Sequence, residues 1–170
     1  MSEQAKTKLK EDIEVSCNRN LTDPILKNGM AHLIELSRSI KMKPSWSDID
    51  RYGCSHRGKR VVYYKIDKDK VTVIITLTDT GKKDELKELF PTLPDDLKKE
   101  FVSSEARHCR GCPKTSPCPW GESASLEWDG NVYYICSRFN YTCVNPTPEQ
   151  FEMIERLIHF RRAYIRDTAK

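Results

Sequence analysis

Arg60-Val61-Val62-Tyr63-Tyr64-Lys65-Ile66, then Asp67-Lys68-Asp69-Lys70, then Val71-Thr72-Val73-Ile74-Ile75-Thr76-Leu77-Thr78, is the stretch on which the fold turns. Its two arms are rich in the β-branched and aromatic residues that suit a pleated surface, and its charged centre has turn chemistry. Together they predict an antiparallel hairpin. Side chains alternate across a strand, so Val62, Tyr64 and Ile66 share one face while Val61, Tyr63 and Lys65 share the other. The first set predicts the core side, because one face of a half-buried strand must be apolar. Val73-Ile74-Ile75 is apolar on both faces and predicts a central strand.

Upstream, Thr22-Asp23-Pro24 has the marks of a helix start: an oxygen side chain to cap free N–H groups, and a proline where its missing donor costs nothing. Leu26, Met30, Leu33, Ile34 and Ile40 then recur at helical steps, and Pro44 ends the pattern. Residues 1–20 lack periodicity and read as a flexible arm, with Ile13 and Val15 able to add a short edge strand. Ser45-Trp46-Ser47-Asp48 reads as a cap followed by one short helical turn that leaves through Tyr52-Gly53. His56-Arg57-Gly58-Lys59-Arg60 is a basic loop, read as solvated, and His32 as a histidine at the edge of the helix's core face.

Downstream, Thr80-Gly81 precedes a short helix over 84–90 that turns Leu86, Leu89 and Phe90 inward. Another helix opens at Asp95-Asp96 and carries Leu97 and Phe101. Two carboxylates in a first helical turn suit the helix dipole, so they need no acid–base role. Ser123 to Trp128 and Asn131 to Ser137 flank Asp129-Gly130, the strongest hairpin signal in the chain. Thr147-Pro148-Glu149-Gln150 is a capping box that opens a long amphipathic helix through Phe151, Ile154, Leu157, Ile158 and Tyr164. The expected fold is α+β: a single domain over 21–170, two antiparallel hairpins forming a sheet packed against helices, and a long C-terminal helix.

A chain of 170 residues suits one domain with its own core, and a formal charge of +4 is too small to argue for a nucleic-acid partner by itself. Met1 to Asp12 has no apolar run of the kind a signal peptide needs, and no later segment reaches the roughly 18 apolar residues of a spanning helix. The reading is a cytoplasmic protein with no membrane partner. In that compartment thiols stay reduced, and clustered cysteines more often bind metal than form a disulfide framework.

The chemistry-bearing block is Cys109-x2-Cys112-x5-Cys118-x17-Cys136-x6-Cys143, which holds five of the seven cysteines and has His108 just before it. Zinc takes four ligands tetrahedrally, and a two-residue spacer with Gly111 lets two sulfurs approach one ion. Cys109, Cys112, Cys118 and Cys136 are the expected set, from a Cys-rich loop at 108–119 and the end of the second hairpin. Cys143 and His108 stand in reserve. Four thiolates leave no open position for water, so such a zinc is structural rather than catalytic. An iron–sulfur cluster uses the same thiolates, and thiol–disulfide exchange by Cys109 and Cys112 is a further alternative. Cys17 and Cys54, isolated in sequence, read as small packed hydrophobes.

From Trp46 onward the order of elements resembles small uncharacterised bacterial α+β domains, on Trp46 to Gly53, Arg57-Gly58-Lys59-Arg60 running into Val61-Val62-Tyr63-Tyr64, Pro94-Asp95-Asp96 and Asn145-Pro146-Thr147-Pro148. The resemblance implies a compact fold and no catalytic set, and the cysteine block departs from it. Three functions remain open. A binding or interaction module would take a small molecule or protein in a groove lined by Trp46, Tyr64, Trp120, Trp128 and Tyr134. A nucleic-acid-binding protein would use a zinc knuckle with His56 to Arg60 and the C-terminal Arg156, His159, Arg161, Arg162 and Arg166, and its strand tyrosines would stack bases. A thiol enzyme would rest on Cys109, for which the adjacent His108 is a poor partner.

Overall fold

The computed structural model describes residues 12–47, 51–79, 82–103, 116–121, 123–136 and 141–168. Among them run α1 (Ile13–Asn20), α2 (Pro24–Ser39), β1 (Ser45–Ser47), β2 (Arg51–His56), β3 (Lys59–Asp67), β4 (Lys70–Ile75), α3 (Lys83–Leu89), a 3-10 turn (Phe90–Thr92), α4 (Asp95–Ser103), β5 (Ser123–Trp128), β6 (Asn131–Cys136), β7 (Tyr141–Val144) and α5 (Pro148–Thr168). The class is α+β, as the sequence implies.

The first hairpin is β3–β4, closed between Asp67 and Lys70. Its tip is anchored: Asp69, in the left-handed region at φ 49, accepts hydrogen bonds from the Thr22 N–H and hydroxyl, both at 2.7 Å. The Asp69 N–H in turn donates to the Asn20 carbonyl at 2.8 Å. These bonds clamp the hairpin to the link between α1 and α2, and the Thr22 donors hold the Asp69 carboxyl below its ordinary pKa.

Strand order in the main sheet is β1-β2-β3-β4-β7, with every pair antiparallel. The register lines up Trp46, Tyr52, Tyr64, Val73 and Cys143 in one row across the inner face. There α2 sets its Ser37 hydroxyl 3.3 Å from the Tyr64 hydroxyl and takes a hydrogen bond from the Cys54 thiol at 3.8 Å. α5 packs on β3 and β4 and against α2, and α1 packs on β3. One continuous core runs from Ile13 to Ile165.

Three expectations are corrected. Residues 13–20 are not a loose arm or an edge strand: they form α1, capped by Asp12 accepting from Glu14 N–H at 2.9 Å, with Ile13, Ser16 and Cys17 buried at helical spacing. That stripe is too short and too polar to show as periodicity. Ser45 to Gly53 is not a helical turn. It pairs as β1 and β2, because Trp46 meets Tyr52 edge-on at 5.1 Å and β2 finds a long-range partner in β3, so tertiary pairing overrides the local cap signal. The two hairpins also do not share a sheet: β5–β6 forms a two-stranded sheet of its own, and the short β7 completes the main one.

The second hairpin turns through Asp129 and Gly130, both at positive φ, as its dipeptide requires. Helix α5 opens with the reciprocal capping box: Thr147 N–H donates to Gln150 Oε1 at 3.1 Å and Gln150 N–H to Thr147 Oγ1 at 3.3 Å. Among the described residues no helix is long and apolar enough to cross a membrane.

Candidate functional site

Ala124, Leu126 and Trp128 alternate with Ser123, Ser125 and Glu127 along β5, and the first three face the core. On β6, Ile135 stands opposite Ala124, which leaves Tyr134 and Cys136 on the other face with Ser125 and Ser123. Ser123 is the Cα partner of Cys136, and its hydroxyl accepts a hydrogen bond from the Cys118 N–H at 2.8 Å. Cys118 is buried and opens a tight turn in which Gly121 N–H returns to the Cys118 carbonyl at 2.9 Å, with Gly121 at φ +69. Lys83 of α3 donates to the Gly121 carbonyl at 3.2 Å and ties this turn to the body. Cys118 and Cys136 are thus brought to the same end of the second hairpin through one serine.

His108, Cys109 and Cys112 lie outside the described residues. Among the described residues no group of three or more His, Cys, Asp or Glu is placed to hold a metal ion. The reserve ligand Cys143 lies elsewhere: it pairs with Val73 in the main sheet, beside the Tyr141 side chain. Burial pushes its thiol up to about 11. Cys54 is likewise pushed up to about 11 by burial, and Cys17 to about 12 by burial, Glu14 and Asp12.

The five aromatic groove candidates do not share one surface. Tyr64 is 0% exposed and lines nothing. Trp46 is half-buried on Tyr52 at the β1 edge, and Trp120 is 66% exposed on the Cys118 turn. Trp128 and Tyr134 point to opposite faces of the second hairpin, and Trp128 packs with Tyr133 at 6.4 Å between ring centroids.

The basic residues expected on α5 are largely engaged within the chain. Arg156 pairs with Asp96, Arg166 with its neighbour Asp167, and His159 lies 3.7 Å from Glu155, which also meets His32 at 2.7 Å. Arg161 is buried, donating to the Leu77 carbonyl at 2.7 Å and to Asp79 at 2.8 Å.

A cationic group that sequence reasoning missed sits on the outer face of β2 and β3. Arg51 and Arg60 place Cζ 4.8 and 4.6 Å from the centroid of the half-buried Tyr63 ring. Gly53 makes this possible: a Cβ there would lie 1.5 Å from Arg60 Nη1. The signal was Gly53 itself, since a glycine within a strand often marks a close approach. No protein-family model matches the chain, and neither a curated protein nor a solved structure is significantly similar to it.

Proposed function

We propose that the protein is a small binding protein in which a structural zinc ion, held by Cys109, Cys112, Cys118 and Cys136, fastens the 108–119 loop to the second hairpin. The observation that supports it is the convergence of Cys118 and Cys136 at one hairpin end through Ser123. Four thiolates close the tetrahedron, so the ion orders a loop whose proline-rich, polar sequence gives little apolar burial. The reading also requires a compartment that keeps thiols reduced, which the cytoplasm provides.

Elemental analysis of protein purified without chelator or affinity metal, paired with an optical spectrum, tests it. About one zinc per chain with no visible absorbance is expected. Cys118→Ser and Cys136→Ser should each lose the ion, while Cys143→Ser should keep it. Iron with visible absorbance would replace zinc by an iron–sulfur cluster on the same thiolates. No metal after anaerobic reconstitution would overturn the site.

A further inference from the structure

We propose that the outer face of β2 and β3 binds single-stranded nucleic acid, with Arg51 and Arg60 meeting phosphates and Tyr63 with the guanidinium planes forming the stacking surface for bases. It rests on residues apart from the metal reading, because β2 and β3 carry none of the four proposed ligands.

Six arginines among the described residues make a contrast. Arg38, Arg156, Arg161 and Arg166 each meet a carboxylate of the chain: Glu14, Asp96, Asp79 and Asp167. Arg51 and Arg60 meet no carboxylate among the described residues, although both are held over one aromatic ring. Two guanidiniums gathered at one ring repel each other, and an anion between or above them relieves that repulsion. The ring attracts each cation through its face and holds the planar forks in a fixed arrangement before any partner arrives.

Beyond Tyr63 the outer face of β3 carries one cation and one acid. Tyr63, Lys65 and Asp67 share the outer alternation of β3, and the one acid in that row, Asp67, sits 3.3 Å from Lys65. At the far end of the hairpin β2–β3, Arg57 turns the chain in the left-handed region, and its side chain reaches the Arg166 carbonyl at 3.5 Å. Two neighbouring guanidiniums held at one ring match successive phosphates of a strand. The flat aromatic and guanidinium surfaces match bases, which an acidic peptide lacks.

The test is fluorescence anisotropy of labelled mixed-sequence 12-nucleotide RNA and DNA single strands, titrated with the full chain carrying its native metal over a salt series. Binding at low salt that weakens steadily with added salt is expected, by roughly 0.7 in log affinity per log salt for each phosphate contact. The double variant Arg51→Gln/Arg60→Gln should lose at least about tenfold in affinity and show a shallower salt slope. Tyr63→Leu should lose roughly tenfold with the slope retained. Arg51→Lys/Arg60→Lys, which keeps the charge but not the planes, should fall between, and Arg166→Gln should match the parent. Circular dichroism and thermal midpoints verify folding, and the lysine variant serves if the glutamine variant unfolds. No binding at low salt, undiminished binding by the double variant, equal binding of duplex, or equal competition by poly-glutamate would overturn the proposal. Loss of metal without loss of binding would count against the zinc site alone.

Discussion

Arg161 donates to Asp79 at 2.8 Å from a side chain only 1% exposed, and thereby carries a full positive charge into the core beneath the end of β4. Asp79 is shared, because Lys59 reaches its other oxygen at 2.8 Å. Removing the carboxylate leaves the guanidinium buried with the Leu77 carbonyl and the Tyr164 ring, 5.7 Å from its Cζ, but no counter-charge among the partners named. Asp79→Ala should therefore cost about 3 kcal/mol, the low end for a broken buried pair because Asp79 itself is 29% exposed. Adding Arg161→Met should recover part of the loss, as read in urea denaturation midpoints.

The same carboxylate sets an acid limit. Burial alone would raise its pKa, but the hydrogen bonds from Lys59 and Arg161 outweigh burial and hold it below the ordinary value. A lowered folded-state pKa gives stability that is complete above the unfolded value of roughly 4 and is lost as pH falls through the folded value. Stability measured from pH 7 down to pH 2 should hold until about pH 5 and then decline. In Asp79→Asn, which starts lower, the decline should be shallower.

The buried thiols set the opposite limit. Cys143 and Cys54 are raised to about 11, and Cys17 to about 12, chiefly by burial. A raised folded-state pKa gives stability that is complete below the unfolded value of roughly 8.5 and is lost as pH rises through the folded value. The native protein should accordingly weaken between about pH 9 and 11. Iodoacetamide at pH 8, followed by peptide mass mapping, should leave these three cysteines unmodified until the chain is unfolded.

Gly29 lies on α2 where a Cβ would come within 2.2 to 2.5 Å of the Phe151 ring of α5. Gly29→Ala gains helix propensity by roughly 1 kcal/mol, yet it sets a methyl against the buried Phe151 ring where two helices pack. A net loss of about 1–3 kcal/mol is expected, read as a lowered thermal midpoint. An unchanged or raised midpoint would show that Phe151 can swing aside.

Gly53→Ala separates packing from placement. Its Cβ would meet only the far end of Arg60, a flexible side chain, so stability should change by less than about 1 kcal/mol. The Arg60 guanidinium should nevertheless leave Tyr63, and the tyrosine fluorescence and ring proton shifts of Tyr63 should change with it.

Elements specified by short-range chemistry were legible in the sequence. Asp23 caps α2 by accepting from Ile25 N–H at 2.8 Å, Asp129-Gly130 makes its turn, and Thr147 and Gln150 cap each other. Elements specified by distant partners were not. β7 is four residues long, and only β4 shows it to be a strand. The α5 arginines looked available in sequence because Asp96 and Asp79, which engage Arg156 and Arg161, lie 60 and 82 residues away. For the cysteine block, spacing suggested a set of thiols, of which Cys109 and Cys112 lie outside the described residues, while the register places Cys136 and Cys143 in different sheets. The Arg51–Tyr63–Arg60 group was hidden because it depends on a register and on a missing side chain at Gly53.

The place of β7 in the sheet bears on how the chain is made. On a ribosome, β3 and β4 emerge long before Tyr141–Val144, and until that last strand arrives β4 presents Val71, Val73, Ile74 and Ile75 along an unpaired edge. The inner face waits equally for α5, whose Glu155 meets His32 across 123 residues of chain. A nascent or truncated product ending before Tyr141 therefore carries an adhesive strand edge and an uncovered apolar face, the two features that draw chaperones or lead to aggregation.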